Sequence, residues 1–346
     1  MFLRFFVLSV FVTMHASMDE LKKILDLALK AGASDIHLVS GCIPMMRVHR
    51  ELVALKKQIL TPQTIQKITS AFLTQNQLKE LTLSGDIDLG MTLSGTGLRI
   101  NIHKQSHGLG LAIRLIPSNI PSPNDLLFHE TMRGIPDLKE GFVIVSGPTG
   151  SGKSTTLASL IQMINTQSSR HIITLEDPIE YRFTPHHSLI EQRQLGIDFP
   201  SFQKGLRHVL RQDPDVIVVG EMRDPETISL ALTAAETGHL VLSTLHAPNA
   251  PEAIERIVNV FDGAEQRQIL VQLSATLRVI VAQRLLPKKD GGMVAAWEVL
   301  TSTTAVRSAI QNNNLGVLKS AVSTGKKDGM ITMERSMQEL KKAGIL

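Results

Sequence analysis

Apolar residues in the second half of the chain follow two different spacings, which together predict strands that alternate with helices. Short continuous apolar runs without strict polar alternation predict strands that are buried on both faces of a sheet. These runs are Phe142–Val145, Ile172–Leu175, Val216–Val219 and Leu240–Leu245. After the first run, apolar residues recur at helical spacing at Leu157, Leu160, Ile161 and Ile164. The pattern predicts an α/β domain, a parallel sheet covered by helices whose ligands bind beyond the carboxyl ends of the strands.

The same spacings predict how this domain continues. Asp224 followed by Pro225 is an N-cap and first-turn signal, and it predicts a helix before the last of the four apolar runs. Helical segments are expected next, over Pro251–Arg284. A strand is then expected at Val294–Leu300, and short helices should end the chain.

Shorter segments in the first half of the chain predict a small α+β domain. Asp19 can cap a helix that ends near Gly32, and further helices are expected over Pro62–Leu83. Strand-like segments surround them at Asp35–Val39, Met45–His49, Asp86–Leu93, Leu98–His103 and Leu111–Ile116. Residues 117–127 are rich in proline, serine and asparagine, which predicts a linker. The expected domains are therefore residues 18–116 and residues 128–346.

Composition limits the function classes that are open to this chain. A length of 346 residues exceeds what one core usually supports, which agrees with two domains. Lysine and arginine number 36 against 32 for aspartate and glutamate, and there is one tryptophan and one tyrosine. Neither the charge nor the aromatic content indicates a nucleic-acid partner. The single cysteine, Cys42, excludes an intrachain disulfide and a multi-cysteine zinc site.

A glycine-rich motif follows the first apolar strand and precedes the helix. The pattern G-x-x-x-x-G-K-[ST] is met by Gly147, Pro148, Thr149, Gly150, Ser151, Gly152, Lys153 and Ser154, with Thr155 directly after it. Glycines let backbone N–H groups surround phosphate oxygens at a helix N-terminus. We expect Lys153 to reach the β- and γ-phosphates and the Ser154 hydroxyl to hold Mg²⁺. ATP and Mg²⁺ are therefore the predicted cofactors.

Carboxylates follow two further strands, at the edge of the sheet where the phosphate loop is expected. Glu176, Asp177 and Glu180 come after the second apolar run, and Glu221 comes after the third. ATP hydrolysis needs a group that positions or deprotonates the attacking water, and carboxylates near Mg²⁺ can do both. An exposed acidic turn without chemistry is the alternative. An acid after four apolar residues is the Walker B layout, but Gly220 stands at the usual aspartate position, so Glu221 is expected to serve the metal or its water alone.

Two histidines bracket the strand Leu240–Leu245. His239 precedes this strand and His246 follows it. A lone histidine is more often a structural group with satisfied hydrogen bonds. Two histidines at the ends of one strand beside a phosphate loop are instead expected to sense phosphate or to couple hydrolysis to movement.

Residues 1–17 are apolar and loosely resemble a short signal peptide, with Arg4 near the start and Ala16 near the end. Their apolar core, Phe5–Val12, is short, and a P-loop ATPase has no ATP outside the cytosol. We expect a misassigned start or a small non-native extension before Met18, with a weak membrane-associated segment as the alternative. No other stretch reaches the roughly 20 apolar residues that a membrane span requires.

Four motifs in order resemble the secretion and type IV pilus ATPases. The segments GPTGSGKST, LEDPIEY, DPDVIVVGEMRD and TGHLVLSTLH look like the Walker A, Asp box, Walker B and His box of that family. The resemblance runs from about Asp19 to Leu346, and Ala33–Leu38 resembles part of the family's N-terminal domain. It implies a RecA-like P-loop ATPase domain that follows a small PAS-like α+β domain.

The resemblance also implies roles for residues outside the phosphate loop. The general base falls on Glu180, the Walker B glutamate on Glu221, and the His-box positions on His239 and His246. Arg99 and Arg114 match arginines of the N-terminal domain that reach phosphate in the family's hexamers. The alternative for these two arginines is a solvated strand face.

Within the family, the chain resembles the PilT-type retraction branch. Assembly and secretion motors are longer and usually carry a four-cysteine zinc module, which a chain with one cysteine cannot form. One departure concerns a helix that reads roughly AIRNLIRE in retraction motors. Here the matching stretch Ala305–Asn312 lacks the last charged pair. A PilT-like paralogue, or another secretion or pilus assembly ATPase, is therefore the alternative function.

The resemblance implies a cytoplasmic homohexamer that hydrolyses MgATP to power type IV pilus retraction and twitching motility, with ATP between the two domains. The expected partner is a pilus platform protein at the inner membrane, where the motor would lie peripherally. Two functions from other classes stay open. A P-loop motor acting on DNA is disfavoured by the scarce aromatics and small net charge. A non-catalytic ATP-binding subunit is disfavoured by the presence of Lys153, Glu180 and Glu221.

Overall fold

The structure is a computed structural model that describes residues 18–48, 51–116 and 119–346. The chain divides into two units, Met1–Asn119 and Ile120–Leu346, and this division falls inside the proline-rich segment 117–127. The predicted start extension, residues 1–17, lies outside the described residues. Within the described ranges, no helix combines the length and the apolar character needed to span a bilayer.

The first unit is an α+β domain with a six-stranded antiparallel sheet. Its elements are α1 (residues 18–30), β1 Asp35–Val39, β2 Met45–Val48, β3 Glu51–Ala54, α2 Pro62–Ser70, α3 Gln75–Ser84, β4 Asp86–Leu93, β5 Thr96–Gln105 and β6 Gly108–Ile116. The strands lie in the order β3-β2-β1-β6-β5-β4. Leu98, Ile100 and Ile102 alternate with less buried residues along β5, so they share one face of the sheet. There they form one core with Leu21 and Ile24 of α1.

The second unit is built on a seven-stranded sheet in the order β13-β12-β7-β11-β10-β8-β9. Its strands are β7 Gly141–Ser146, β8 His171–Glu176, β9 Leu189–Gln194, β10 Val216–Val219, β11 Leu240–Leu245, β12 Leu277–Pro287 and β13 Met293–Thr301. All neighbours pair in parallel except β13, which runs antiparallel to β12 at one edge. β7, β10 and β11 are buried along their whole length, as their apolar runs predict.

Helices cover both faces of this sheet. They are α4 Glu130–Arg133, α5 Lys153–Gln167, α6 Phe202–Val209, α7 Pro225–Glu236, α8 Ala250–Asn259, α9 Gly263–Thr276, α10 Thr304–Gln311, α11 Leu315–Thr324 and α12 Met333–Lys342. Consecutive residues of a strand point to opposite faces. Val143 and Val145 of β7 therefore pack with α4 and α5, whereas Phe142 and Ile144 pack with α6 to α11. The parallel, helix-covered α/β sheet that the sequence predicts is confirmed.

Residues 277–284 form a strand, so the prediction of helix as far as Arg284 is wrong. α9 ends at Thr276, and β12 follows without an intervening loop. Val279–Val281 are β-branched and are buried between β7 and β13. A short apolar run is compatible with a buried helix or a buried strand, and no glycine or proline marks the change here. The sequence pattern also does not predict β3 and β9, which are short, partly exposed edge strands.

The end of the predicted linker is held on the second unit. The indole Nε1 of Trp297 donates a hydrogen bond to the carbonyl oxygen of Leu127 at 3.0 Å. The Arg133 guanidinium donates to the carbonyl oxygen of Pro123 at 3.3 Å. The edge of one ring in the Phe128–Trp297 pair meets the face of the other, with ring centroids 5.6 Å apart. Residues 123–127 therefore belong structurally to the second unit.

Candidate functional site

The phosphate loop connects β7 to α5 and depends on glycine at two of its positions. Gly147 has φ of 151°, and a Cβ there would lie 2.6 Å from both the carbonyl oxygen of Gln283 and the Oγ of Ser151. Gly152 stands directly before α5 in a left-handed conformation with φ of 88°. Only glycine adopts these conformations without strain. The loop thereby closes tightly at the N-terminus of α5, where backbone N–H groups can bind an anion.

The side chain of Lys153 is buried against this loop. Its Nζ donates to the carbonyl oxygens of Gly147 at 2.9 Å and Pro148 at 3.1 Å, and it lies 3.3 Å from Nδ1 of His246. Three partners require the three N–H groups of an ammonium ion. Burial lowers the pKa of Lys153, and the carboxylate of Glu221 partly opposes that shift. The loop therefore holds a positive charge on its inner side, suited to a phosphate.

His246 lies between this lysine and the Walker B glutamate. Because the Lys153 ammonium can only donate, Nδ1 of His246 accepts, and the ring proton resides on Nε2. Nε2 lies 3.3 Å from Oε1 of Glu221, to which it can donate. Burial and the adjacent lysine charge lower the pKa of His246, so the ring is neutral at neutral pH. The three side chains form a continuous chain of contacts, Lys153–His246–Glu221.

Glu221 follows β10 and is held on its other side by Arg223. The Arg223 guanidinium donates to Oε2 of Glu221 at 2.8 Å. Burial alone would raise the pKa of Glu221, but the hydrogen bond and charge of Arg223, with His246 and Lys153, bring it below its ordinary value. Glu221 is therefore an ionised carboxylate at neutral pH.

The position before Glu221 is tight for any side chain larger than glycine's, including the usual aspartate. A Cβ on Gly220 would stand 3.1 Å from the carbonyl oxygen of Leu175 and 3.4 Å from Cα of Glu176 on the neighbouring strand β8. The backbone N–H of Gly220 donates to that same Leu175 carbonyl at 2.8 Å. The close approach of the two strand ends explains why glycine stands here.

Glu176 closes β8 and is surrounded by hydrogen-bond donors. Its Oε1 accepts from Oγ1 of Thr174 at 2.6 Å and from Nε2 of Gln192 at 3.0 Å. Its carboxylate also accepts from the backbone N–H of Glu180. Burial raises the pKa of Glu176 despite these bonds. Glu176 thus holds the turn of the acidic box, the segment Leu175–Tyr181, from its inner side.

Asp177 and Glu180 are exposed on the outside of the same turn. The charge of Glu180 acts on Lys153 and on Tyr181, which places this carboxylate near the phosphate loop. The Tyr181 hydroxyl lies 2.9 Å from Oγ1 of Thr155 in the first turn of α5. The acidic box and the phosphate loop are therefore joined directly, and Glu180 is open to water.

Two oxygen donors at this edge suit a magnesium ion. Ser154 is exposed in the first turn of α5, and Glu221 provides an ionised carboxylate. Mg²⁺ prefers oxygen ligands and is usually bound by one or two protein groups together with substrate phosphates and water. Among the described residues, no group of three or more His, Cys, Asp or Glu could by itself hold a metal ion. Ser154 and Glu221 are the residues that would hold Mg²⁺.

His239 lies at the opposite end of the sheet strands from the phosphate loop. It stands at the amino end of β11, whereas the phosphate loop and His246 lie at the carboxyl ends. Its Nδ1 is 2.9 Å from the carbonyl oxygen of Ala234 and 3.2 Å from Oγ1 of Thr237, at the end of α7. At about 3.3 Å per residue, roughly 23 Å separates it from His246. Within one subunit, the structure brings His246 to the loop and does not bring His239 there.

Arg99 and Arg114 face each other on β5 and β6 of the first unit. Like charges directly opposite each other destabilise a strand pair. Asp35 offsets this, since its Oδ1 accepts from Nε of Arg114 at 3.0 Å. The Arg114 side chain is 65% exposed, so it can still reach another partner. The predicted phosphate contact of these arginines stays a prediction.

The sequence does not predict three side chains that contact the site residues. Arg223 binds Glu221, Gln192 binds Glu176, and Gln283 binds the phosphate loop. Gln192 and Gln283 lie on β9 and β12, two of the three strands that the apolar pattern does not predict. Arg223 carried a usable signal, because it stands two residues after the Walker B glutamate in the same short loop.

Comparison with known proteins shows what the whole chain is similar to. The family model described as type II/IV secretion system protein matches residues 14–342. The chain is 38% identical over 328 residues to the type IV pilus retraction ATPase PilT of Pseudomonas aeruginosa, covering 94% of this chain and 95% of that protein. It is 40% identical over 310 residues to a twitching motility protein of Neisseria gonorrhoeae, covering 89% and 83%. A crystal structure of the pilus retraction motor PilT with bound ADP superposes with a TM-score of 0.87 at 41% identity, covering 94% and 93%.

Proposed function

Because this chain belongs to the type II/IV secretion system protein family, we propose that it is an ATPase that powers type IV pilus retraction. Similarity over nearly the whole length to proteins with that activity supports the proposal. We further propose that it acts as a homohexamer, in the cytoplasm and peripherally at the inner membrane, through a pilus platform protein. The small net charge of +4 supports a protein partner over a nucleic acid.

The observation that carries the proposal is the chain of contacts Lys153–His246–Glu221 at the phosphate loop. Lys153 would contact the γ-phosphate, and Glu221 would bind the metal. The neutral imidazole of His246 connects the two side chains. A phosphate that displaces the carbonyl partners of Lys153 also changes the partner of His246. Arrival or loss of the γ-phosphate can therefore alter the loop that carries Glu221 and Arg223.

Each residue of the site has a task in hydrolysis under this proposal. Lys153 neutralises the phosphate charge, and the loop's N–H groups orient the phosphates. Bound Mg²⁺ would stabilise the charge that develops on the phosphate oxygens. Glu180, open to water, takes the proton of the attacking water, and Glu176 fixes Glu180 through its backbone N–H.

The biochemical test is Mg²⁺-dependent release of phosphate from ATP. Lys153→Ala should abolish turnover, because no other loop side chain supplies a positive charge to the γ-phosphate. Lys139→Ala removes an exposed lysine of the same unit and should leave turnover unchanged. ATP hydrolysis at the wild-type rate in Lys153→Ala would refute the site.

The cellular test separates retraction from other roles in pilus biology. Deleting the gene and counting surface pili should give more pili and no twitching if the protein retracts them. Cells without pili would instead identify an assembly motor. Normal pili and normal twitching would show that the protein serves a different machine.

A retraction-motor paralogue is the second candidate, and α10 carries the observation that favours it. Val306, Ala309 and Ile310 bury one face of this helix, whereas Gln311 and Asn312 are exposed at its end. These two residues stand where retraction motors carry a charged pair. The departure therefore changes a surface and not the core, which is the expected effect of a different partner. Restoring the pair with Gln311→Arg and Asn312→Glu tests whether it sets retraction strength in cells.

A further inference from the structure

Gln283 of β12 touches the phosphate loop at three points. It is almost completely buried, with 1% of its surface exposed. Its Nε2 donates a hydrogen bond to the backbone carbonyl oxygen of Ser151 at 2.5 Å. Its backbone carbonyl oxygen lies 2.6 Å from the position that a Cβ on Gly147 would take, and its side-chain Nε2 lies 3.3 Å from the corresponding position on Gly152. The backbone of Gln283 thus limits the loop at Gly147, and its side chain limits the loop at Ser151 and Gly152.

The peptide bond between Ser151 and Gly152 connects this contact to phosphate binding. A trans peptide is planar, and its C=O and N–H groups point in opposite directions. When Gln283 holds the Ser151 carbonyl toward β12, the N–H of Gly152 must point away from β12. In phosphate loops, backbone N–H groups that are free of the surrounding sheet bind the phosphate oxygens, and under the role proposed below for Gln283 the Gly152 N–H belongs to that group.

We propose that Gln283 is a positioning residue that fixes the phosphate loop in its binding conformation before the nucleotide arrives, an inference that rests on the proposed ATP binding. It acts through the Ser151 carbonyl and does not touch the nucleotide. Preorganisation of this kind strengthens binding, because the loop loses less conformational freedom when the ligand binds.

The surroundings of the Gln283 side-chain amide indicate that its N–H donor, and not its oxygen, gives glutamine its role at this position. Within the described residues, Oε1 of Gln283 and Oγ of Ser151 are buried without a hydrogen-bond partner. A buried unpaired acceptor costs free energy, so an apolar residue of similar size would fit this place better by packing alone. The hydrogen bond to the loop is what glutamine adds.

The test is the binding of ADP and of a non-hydrolysable ATP analogue to the full-length Gln283→Leu protein. Loss of the hydrogen bond should lower the binding affinity for both nucleotides by roughly tenfold, which corresponds to the free energy of one hydrogen bond. The Michaelis constant for ATP should rise by a similar factor while kcat stays near the wild-type value, because ground state and transition state lose the same contact. Unchanged affinity in a folded Gln283→Leu protein would overturn the proposal.

Gln272 of α9 offers a matched control. Its Nε2 donates to the Glu236 carboxylate at 2.7 Å, and within the described chain its Oε1 is likewise buried without a partner. Gln272→Leu therefore removes the same chemistry away from the loop and should leave nucleotide affinity unchanged. An equal loss in both variants would show a general effect of stability and overturn the proposal. Failure of the wild-type protein to bind ADP would instead refute the proposed function.

A second variant keeps the proposal testable if Gln283→Leu does not fold. In Gln283→Glu, a protonated carboxyl can donate to the Ser151 carbonyl, whereas the ionised form cannot and adds a negative charge beside the loop. ADP affinity relative to wild type should therefore be near normal at about pH 5.5 and fall strongly by about pH 8.5. A ratio that stays constant over this range would contradict the positioning role.

Discussion

Glu176 and Glu180 stand in one turn of the chain but in opposite environments. Glu176 accepts hydrogen bonds from Thr174, Gln192 and the backbone of Glu180 itself. Glu180 is exposed, and its charge reaches Lys153 at the phosphate loop. A base that deprotonates water must be open to that water. The two environments support Glu180 as the base and Glu176 as the group that orients it.

Glu180→Gln should keep nucleotide binding and lose hydrolysis by about 10²–10⁴-fold, because a carboxamide keeps the shape but cannot accept the proton. Phosphate release and ADP binding measured on the same preparation check this. Glu176→Gln is the comparison, since it changes the neighbouring acid of the same turn. If Glu180→Gln turns over normally and Glu176→Gln does not, the base is Glu176.

The raised pKa of Glu176 makes its contribution to stability depend on pH. Its folded pKa lies above its ordinary value of 4.5, so the folded state binds the proton more tightly than the unfolded state. The carboxyl therefore favours folding most below 4.5, and this advantage is lost as pH rises through the raised value.

Glu176→Gln has no such titration. Relative to this variant, the wild-type protein should lose about 1.4 kcal/mol of unfolding free energy for each unit by which the pKa is raised. Urea unfolding of both proteins at several pH values above 4.5 measures the difference. A difference that does not change with pH would show that burial does not raise this pKa.

At the scale of elements, the ends of β8 and β10 decide which residues can form the Walker B site. The two strands pair in parallel, and the backbone of Gly220 continues this pairing to Leu175 at 2.8 Å. The acidic box leaves β8 at this same point. A side chain on Gly220 would push against the backbone that carries Glu176, so the packing of the two strands disfavours a second Walker B acid.

Gly220→Ala should destabilise the protein by about 1–3 kcal/mol, because the added Cβ meets the backbone of β8, which cannot move aside like a flexible side chain. Thermal or urea unfolding measures this loss. Gly263→Ala, at the start of α9, is the control: its Cβ would meet nothing within 4 Å, so it should be neutral or stabilise by about 0.4–1 kcal/mol. Equal effects of both substitutions would remove the crowding argument.

At the scale of the whole molecule, the predicted site residues are divided between two units with separate cores. The phosphate loop, the acidic box and the Walker B loop belong to Ile120–Leu346, whereas Arg99 and Arg114 belong to Met1–Asn119. The boundary also matters for dissecting the protein. A truncation at Phe128 would remove the Leu127 carbonyl and leave the Trp297 indole N–H without its acceptor.

A truncated protein that begins at Ile120 should therefore fold and bind ADP but hydrolyse ATP poorly, because it lacks both arginines. Arginines supplied to phosphoryl-transfer sites can contribute about 10³–10⁵ in rate. Light scattering of the full chain should show a hexamer.

Arg114→Ala in the full chain should lower kcat with little change in stability, since an exposed ion pair contributes about 0–1 kcal/mol. Full activity of the truncated protein would leave the arginines as ordinary surface charges.

The sequence by itself determined the local features of this protein. The phosphate loop, the buried strands around it and the order of the motifs depend on where glycines and apolar runs stand along the chain. These features involve residues that are neighbours in sequence, and local backbone sterics and burial are enough to specify them. The sequence alone did not predict β12, because a short apolar run is compatible with a strand or a helix until the strands that pair with it are known.

Only the tertiary structure decided which of these residues meet. The spatial order β12-β7-β11-β10-β8 differs from the chain order, and it brings Gln283 and His246 to the phosphate loop and Glu221 to His246. In a parallel sheet the carboxyl ends of all strands lie together, away from the amino ends. His246 follows a carboxyl end and therefore contacts the phosphate loop, whereas His239 precedes an amino end and does not. The burial that raises the pKa of Glu176 likewise arises from packing between distant segments. No spacing along the chain contains that information.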